Sequence, residues 1–232
     1  MILNKEMCYL LGYLWADGHI GKDCVTLEIV EEDGVSVKDI IEKSGLDFRI
    51  TTRKRKNSIR KQTCFDLRFR GVGSKDFHNF LISSGYGNKT GSHYQILEKI
   101  PENLKHYWIR GFFDGDGCIN VVEKDEKYRS SRLYFYGDIK QEWGCIFDLF
   151  KKIDLKYTYQ TVSRKNGLHL SSFVGVYNRI DVIKFFNFLY PECLFDIGLK
   201  RKYDKFMIVK KYENIGIRGR INVGCERHKV FT

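Results

Sequence analysis

The sequence predicts an α+β fold built from a duplicated αββαββα unit, packed through the first helix of each copy. Three observations lead there. The segments "LLGYLWADG" and "IRGFFDGDG" align with Gly12, Ala16, Asp17 and Gly18 on Gly111, Gly115, Asp116 and Gly117, an offset of 99 residues. Later features recur in the same order: "RKN" at 55–57 and 164–166, "FRGV" at 69–72 and "FVGV" at 173–176, "NFL" at 79–81 and 187–189. The spacing between them drifts, which fits a duplication with loop insertions rather than a short solenoid repeat. Finally, helical and alternating periodicities follow one another in the same sequence within each copy.

In the first copy, residues 5–16 read as a helix and "DCVTLEIV" as a strand. "GVSVKDIIEKSG" has helical spacing at Val37, Ile40 and Ile41 and a glycine stop at Gly45. "LDFRITTRKR" and "TCFDLRFRGV" alternate as a strand pair, with Phe65, Leu67 and Phe69 on one face and Asp66, Arg68 and Arg70 on the other. "GSKDFHNFLISSG" closes the unit as a helix, with Ser74 as N-cap and Gly85 as stop. The second copy answers with "DIKQEWGCIFDLFKKI", "LKYTYQTV", "LHLSSFVGV" and "NRIDVIKFFNFLY". The copies drift apart near the polar stretch "VVEKDEKYRSSR", which predicts a longer hairpin in the second. The boundaries fall at 1–98, 99–210 and a basic tail at 211–232.

Composition narrows the function classes. Lys plus Arg number 40 against 29 Asp plus Glu, a net charge of +11 in 232 residues. A surplus of that size suits nucleic acid or an anionic membrane surface. Hydrophobic residues make up 43%, which predicts a packed globule. The seven cysteines are odd in number and lack a C-x-x-C pair, which argues for free thiols and a reducing compartment. The apolar run at the start is closed by Asp17 after about ten residues, whereas a bilayer span needs roughly twenty. A protein of the cytoplasm or of an organelle's matrix is expected, with no membrane partner.

The two glycine-acid segments carry the chemistry. Gly12 and Ala16 are four apart, as are Gly111 and Gly115, so each pair lies on one helix face. Two such faces let helix backbones approach unusually closely. Leu10, Leu11, Tyr13, Leu14, Ile109, Phe112 and Phe113 would then fill the lobes. Asp17 and Asp116 end their helices, where unpaired carbonyls already concentrate negative charge. A carboxylate is unfavourable there unless a cation sits beside it, and oxygen donors of this kind suit magnesium. An Asp-Gly after a helix is ordinarily just a C-cap and turn. Two at matching places in a basic, duplicated chain favour a site.

These segments resemble the two signature helices of LAGLIDADG homing endonucleases in their single-chain, two-repeat form. The resemblance spans about residues 5–210, including "IGLKRKYDKF". It implies a pseudo-twofold structure whose curved sheets enter the major groove of double-stranded DNA. It implies a monomeric, magnesium-dependent, site-specific endonuclease that hydrolyses both strands with metal-activated water, and a role in intron homing. Asp17 and Asp116 carry over as the metal-binding acids, with two or three ions and with Mn2+ or Ca2+ as substitutes. Lys89 and Lys202 match the family's lysines, with Lys200 as competitor to Lys202. Glu31 and Asp138 match polar residues that hold water near the metals; as helix N-terminal acids both have an equally good structural reading. The sequence departs from the pattern at Trp15, where an acid is usual and Asp114 is kept in copy two, and at Leu11 and Arg110. A same-fold binding protein without cleavage, an RNA maturase or a transcription regulator, is the alternative.

The densest positive run, "RITTRKRKNSIRK" at 49–61, has seven Lys or Arg in thirteen positions. As a strand it sets Arg49, Thr51, Arg53 and Arg55 on one face, continued by Arg68 and Arg70. A two-stranded ribbon of this kind fits the major groove, and Arg pairs with guanine there. Lys56 at the hairpin tip suits phosphate contacts. The second copy offers Lys156, Thr158, Gln160, Arg164, Lys165 and His169. Unequal faces predict an asymmetric target.

Overall fold

Helix α1 (Lys5–Asp17) and helix α5 (Lys105–Asp116) form the spine of the molecule. The computed structural model describes residues 3–22, 24–54, 63–69, 74–90, 94–124, 127–163 and 170–213, without the side chains of Arg53 and Ser74. After α1 come β1 (Gly18–Ile20), β2 (Val25–Val30), α2 (Glu31–Ser44), β3 (Phe48–Lys54), β4 (Thr63–Phe69), α3 (Ser74–Ile82) and a short α4 (Ile96–Lys99). After α5 come β5 (Gly117–Lys124), β6 (Lys127–Asp138), α6 (Gly144–Lys152), β7 (Thr158–Ser163), β8 (Leu170–Val176), α7 (Arg179–Leu189) and α8 (Lys200–Lys211).

Each half forms its own four-stranded antiparallel sheet. The orders match: β1-β2-β4-β3 and β5-β6-β8-β7. The fold is therefore α+β with two repeats, as the periodicities predict. The longer hairpin of the second copy is real: β5 and β6 have 8 and 12 residues against 3 and 6 in β1 and β2.

α1 starts on Asn4, whose side chain accepts from the Met7 N–H at 2.8 Å. From Met7 to Trp15 every residue is buried, and so is Trp108 to Asp114 in α5. A helix buried all round lies inside the protein, and these two pack on each other while their flanks fill the lobes. The small residues explain the close approach. A Cβ on Gly12 would fall 1.9 Å from the Trp108 carbonyl oxygen, and a Cβ on Gly115 would fall 2.3 Å from the Ala16 Cβ. Phe112 and Phe113 meet Phe135 at ring distances of 5.3 and 5.2 Å, joining α5 to the second sheet. Each fully buried ring of this size contributes about 1.5–3 kcal/mol.

Three elements depart from those predicted, two of them for local reasons. The stretch 138–153 is helical only from Gly144. Asp138 accepts from the Lys140 N–H at 2.9 Å, and buried Trp143 donates to Ser172 Oγ at 2.9 Å, which pins the preceding residues as a loop. α8 was not predicted: its inward stripe is Lys202, Phe206 and Val209, and a lysine hides the apolar period. The short α4 was not predicted either. No helix among the described residues is long and apolar enough to cross a membrane. The six described cysteines are free.

Candidate active site and nucleic-acid interface

The two motif helices end side by side. Asp17 is the last residue of α1 and Asp116 the last of α5. A Cβ on Gly115 would lie 3.2 Å from Asp17 Oδ2, so the Asp17 carboxylate reaches across to the neighbouring helix end. Burial, then the charge of Asp17, push the Asp116 carboxyl from 3.8 up to about 7; Lys89 and Lys202 pull the other way. Two carboxylates here repel, as expected from helix ends that already carry negative charge.

The lysines sit below them in matching positions. Lys89 Nζ donates to the carbonyls of Leu14, Ala16 and Gly18 at 3.3, 3.3 and 2.7 Å. Lys202 Nζ donates to those of Phe113, Asp114 and Gly117 at 2.6, 2.7 and 2.7 Å. Each ammonium thus gathers carbonyls from the last turn of a motif helix and the first residue of the strand that follows it. Burial lowers both pKa values, that of Lys202 to about 8. Lys200 points elsewhere, paired with Asp204 on the surface.

The same ladder logic builds an open face on each sheet. Gly18 pairs Leu27 and Gly117 pairs Phe135, so the motifs enter their sheets identically. Glu28 follows Leu27 and lines the same cleft as Asp17, and Tyr136 holds the register position of Glu28 in the second sheet. Glu28 continues through Asp66 to Thr51; Tyr136 continues through Phe173 to Gln160. One step further out, Thr26, Arg68 and Arg49 form a row, matched by Tyr134, Gly175 and Thr158. On the first sheet these rows line a cleft of about 700 Å³ that also takes in Asp17 and His19. Leu27, Leu67, Phe135 and Val174, from the alternate positions, are buried on the opposite face.

No family model and no curated protein matches this chain. Solved structures do. Meganuclease I-SmaMI bound to uncleavable DNA is 13% identical, with a TM-score of 0.53 over 91% of this chain and 89% of that one. The LAGLIDADG homing endonuclease I-LtrWI bound to target DNA is 12% identical, with a TM-score of 0.51 over 90% of each chain. The homing endonuclease I-WcaI bound to its DNA recognition sequence is 17% identical, with a TM-score of 0.53 over 82% of this chain and 83% of that one. The chain has the two-repeat LAGLIDADG fold.

Within this LAGLIDADG fold the sequence-predicted residues separate into groups. Asp17, Asp116, Lys89 and Lys202 come together at the helix ends. Arg49, Thr51, Arg68, Thr158 and Gln160 share the open faces, and exposed Lys156 precedes β7. In the backbone register Arg53 pairs with Cys64. Arg55, Lys56, Arg70, Arg164, Lys165 and His169 lie outside the described residues, as do both "RKN" triplets and the tail from 214. Glu31 and Asp138 are not register equivalents. Asp138 occupies the place of Val30, while exposed Glu31 opens α2.

Sequence reasoning missed Glu28, a carboxylate that lines the same cleft as Asp17. Its signal was available, because Thr26 and Glu28 alternate with apolar Val25, Leu27 and Ile29 along β2. The departures at Trp15 and Arg110 are structural. Trp15 packs among Tyr86, Tyr94 and Trp108, with ring distances of 4.9, 5.0 and 5.7 Å. Arg110 is buried and reaches an acid: it pairs with Asp196 at 2.7 Å and donates to the Leu189 and Ile197 carbonyls at 2.9 Å. Asp114 is buried too, accepting from Tyr9 Oη at 2.8 Å and from the Leu199 N–H at 2.9 Å.

The donor set at the helix ends suits a hard divalent cation. Two mutually repelling carboxylates face each other where a positive charge relieves both. Among the described residues, no three His, Cys, Asp or Glu side chains converge as a metal cage. The two aspartates would therefore share the ion with water and a bound phosphate, the company magnesium prefers.

Proposed function

We propose that this protein is a monomeric, site-specific endonuclease that cuts both strands of a long, asymmetric DNA duplex in a magnesium-dependent reaction. The observation that carries this is the convergence of Asp17 and Asp116, from two distant sequence segments, between two open sheet faces of a chain with charge +11. The similar structures support the same reading: I-LtrWI and I-WcaI are named as homing endonucleases bound to their DNA. Residues 1–98 and 99–210 would each take one half-site, and the tail at 211–232 would add positive charge.

Asp17 and Asp116 would hold magnesium, which supplies Lewis-acid activation of water and charge neutralisation at the phosphate. Lys89 and Lys202 offset the negative helix ends, so that a phosphate can approach the carboxylates, and steady charge that develops there. Glu28 faces the same cleft and orders water on the Asp17 side. Arg49, Thr51 and Arg68 on one sheet, and Thr158 and Gln160 on the other, read base edges. Lys56, Arg164 and Lys165, outside the described residues, would take phosphates and set salt dependence.

The test uses the duplex formed by joining the sequences that flank the gene. With magnesium the protein should bind it and cut both strands; with chelator it should bind without cutting. Binding to the intervening RNA alone, with no duplex cleavage, would replace the nuclease reading with a splicing one.

A further inference from the structure

The two open faces are equivalent in backbone register and opposite in chemistry. Where the first lobe has Glu28 and Asp66, the second has Tyr136 and Phe173 at the same register. One step out, Thr26 and Arg68 are replaced by Tyr134 and Gly175. The rings form a continuous layer. Tyr134 and Tyr136 stack at 5.6 Å, Phe173 meets them at 5.7 and 5.9 Å, and Tyr177 meets Tyr134 edge-on at 5.6 Å. A Cβ on Gly175 would lie 3.0 Å from the Tyr177 ring, so glycine makes the space over which that ring lies. Tyr136 and Tyr177 remain 44% and 42% exposed, too open for a hydrophobic core. Exposed Arg132 flanks the layer and Thr158 and Gln160 border it.

We infer that this aromatic layer selects thymine in the half-site bound by the second lobe, by apolar contact with the C5 methyl groups. The inference rests on the DNA reading above. A sheet face lying in the major groove meets base edges, not base faces. The only apolar group presented there is the thymine methyl; every other edge offers hydrogen-bond donors or acceptors. Asp66, at the register of Phe173 in the first lobe, suits the opposite feature, the amino group of cytosine. The lobes therefore divide the target into a methyl-bearing side, next to Asp116, and an amino-bearing side, next to Asp17.

The experiment selects binders from a pool of random duplexes with the full chain, without divalent metal, using one pool made with thymine and one with uracil in its place. Recovered thymine-pool sites should carry two or three neighbouring thymines in one half only. Replacing those thymines with uracil should weaken binding by about tenfold or more, the expected effect of losing two or three buried methyl groups. Tyr136→Glu with Phe173→Asp, which copies the first lobe, should abolish that preference and leave the other half-site unchanged. Tyr136→Phe should keep it, which separates loss of the apolar surface from loss of fold. Equal binding of thymine and uracil sites, a thymine preference that survives the double substitution, or capture of single-stranded RNA by the rings would overturn the inference while leaving a duplex-binding protein. Failure to enrich any duplex would overturn the DNA reading and this inference with it.

Discussion

Gly12 and Gly111 face each other across the helix pair with no room for a methyl group on either. A Cβ on Gly111 would stand 2.0 Å from the Tyr9 carbonyl oxygen, and one on Gly12 would stand 1.9 Å from that of Trp108. The obstacles are backbone atoms and do not move aside as a flexible side chain would. Gly12→Ala or Gly111→Ala must push the helices apart. The expected cost is about 1–3 kcal/mol or more, read as a lower midpoint in denaturant unfolding. Cleavage should fall further than stability, because the same displacement separates Asp17 from Asp116. An alanine variant with unchanged stability and cleavage would mean that the spine is not tightly closed.

The aspartate pair predicts an inverted pH dependence of stability. In the fold Asp116 takes up its proton near pH 7; in the unfolded chain it does so near its ordinary 3.8. Between those values the native state binds more protons, so stability is fully supported below 3.8 and declines as pH rises through 7. Melting of the metal-free protein should therefore drop as pH rises from about 4 to about 7 and level off above that. If the pair holds magnesium as proposed, the ion should restore more at pH 8 than at pH 6, because it would bind the deprotonated carboxylates. Asp116→Asn should flatten the profile and stabilise the metal-free chain.

Lys202 and Lys89 are predicted to matter to cleavage more than to binding. Lys202→Met removes an ammonium held by three carbonyls at the end of α5. Loss of one such preorganised donor costs cleavage roughly 10²-fold. Duplex affinity, read by gel shift, should change little. Lys200→Met, at the exposed competitor position, should leave cleavage intact.

The lobes are also tied by Arg201 of α8, whose guanidinium donates to both carboxylate oxygens of Asp33 in α2 at 2.7 and 2.6 Å. Asp33 is buried, while Arg201 is partly open to water. Arg201→Ala strands the carboxylate and should cost about 1–3 kcal/mol, less than a fully buried pair because water reaches the arginine side. Arg201→Ala with Asp33→Asn should recover most of that loss in thermal melting.

How far the fold could be read in advance depends on what each residue signals. Paired small residues and helix-ending acids are visible as a pattern, because Gly12, Ala16, Gly111 and Gly115 leave a stripe that few other folds need. Strand alternation was equally plain in β4. Register was not, since it depends on which rungs the turns allow to pair. That is why sequence left two readings open for Glu31, which stands at a helix start, and passed over Glu28, which faces the cleft. Lys202 could not be separated from Lys200 by sequence, because only the α8 stripe through Phe206 and Val209 shows which lysine turns inward. Arg110 looked ambiguous for a similar reason: Asp196, its partner, lies 86 residues away. The aromatic layer of the second lobe was hidden because its rings look like core until the strand pairing puts them on the open side.

The most direct test is cleavage of the joined flanking duplex by Asp17→Asn and Asp116→Asn beside the unaltered protein. Binding by each variant should stay within a fewfold of the parent, while double-strand cleavage in magnesium should be lost. Cutting at the parent's rate by either variant would contradict the claim that one shared pair of helix-end carboxylates performs the chemistry.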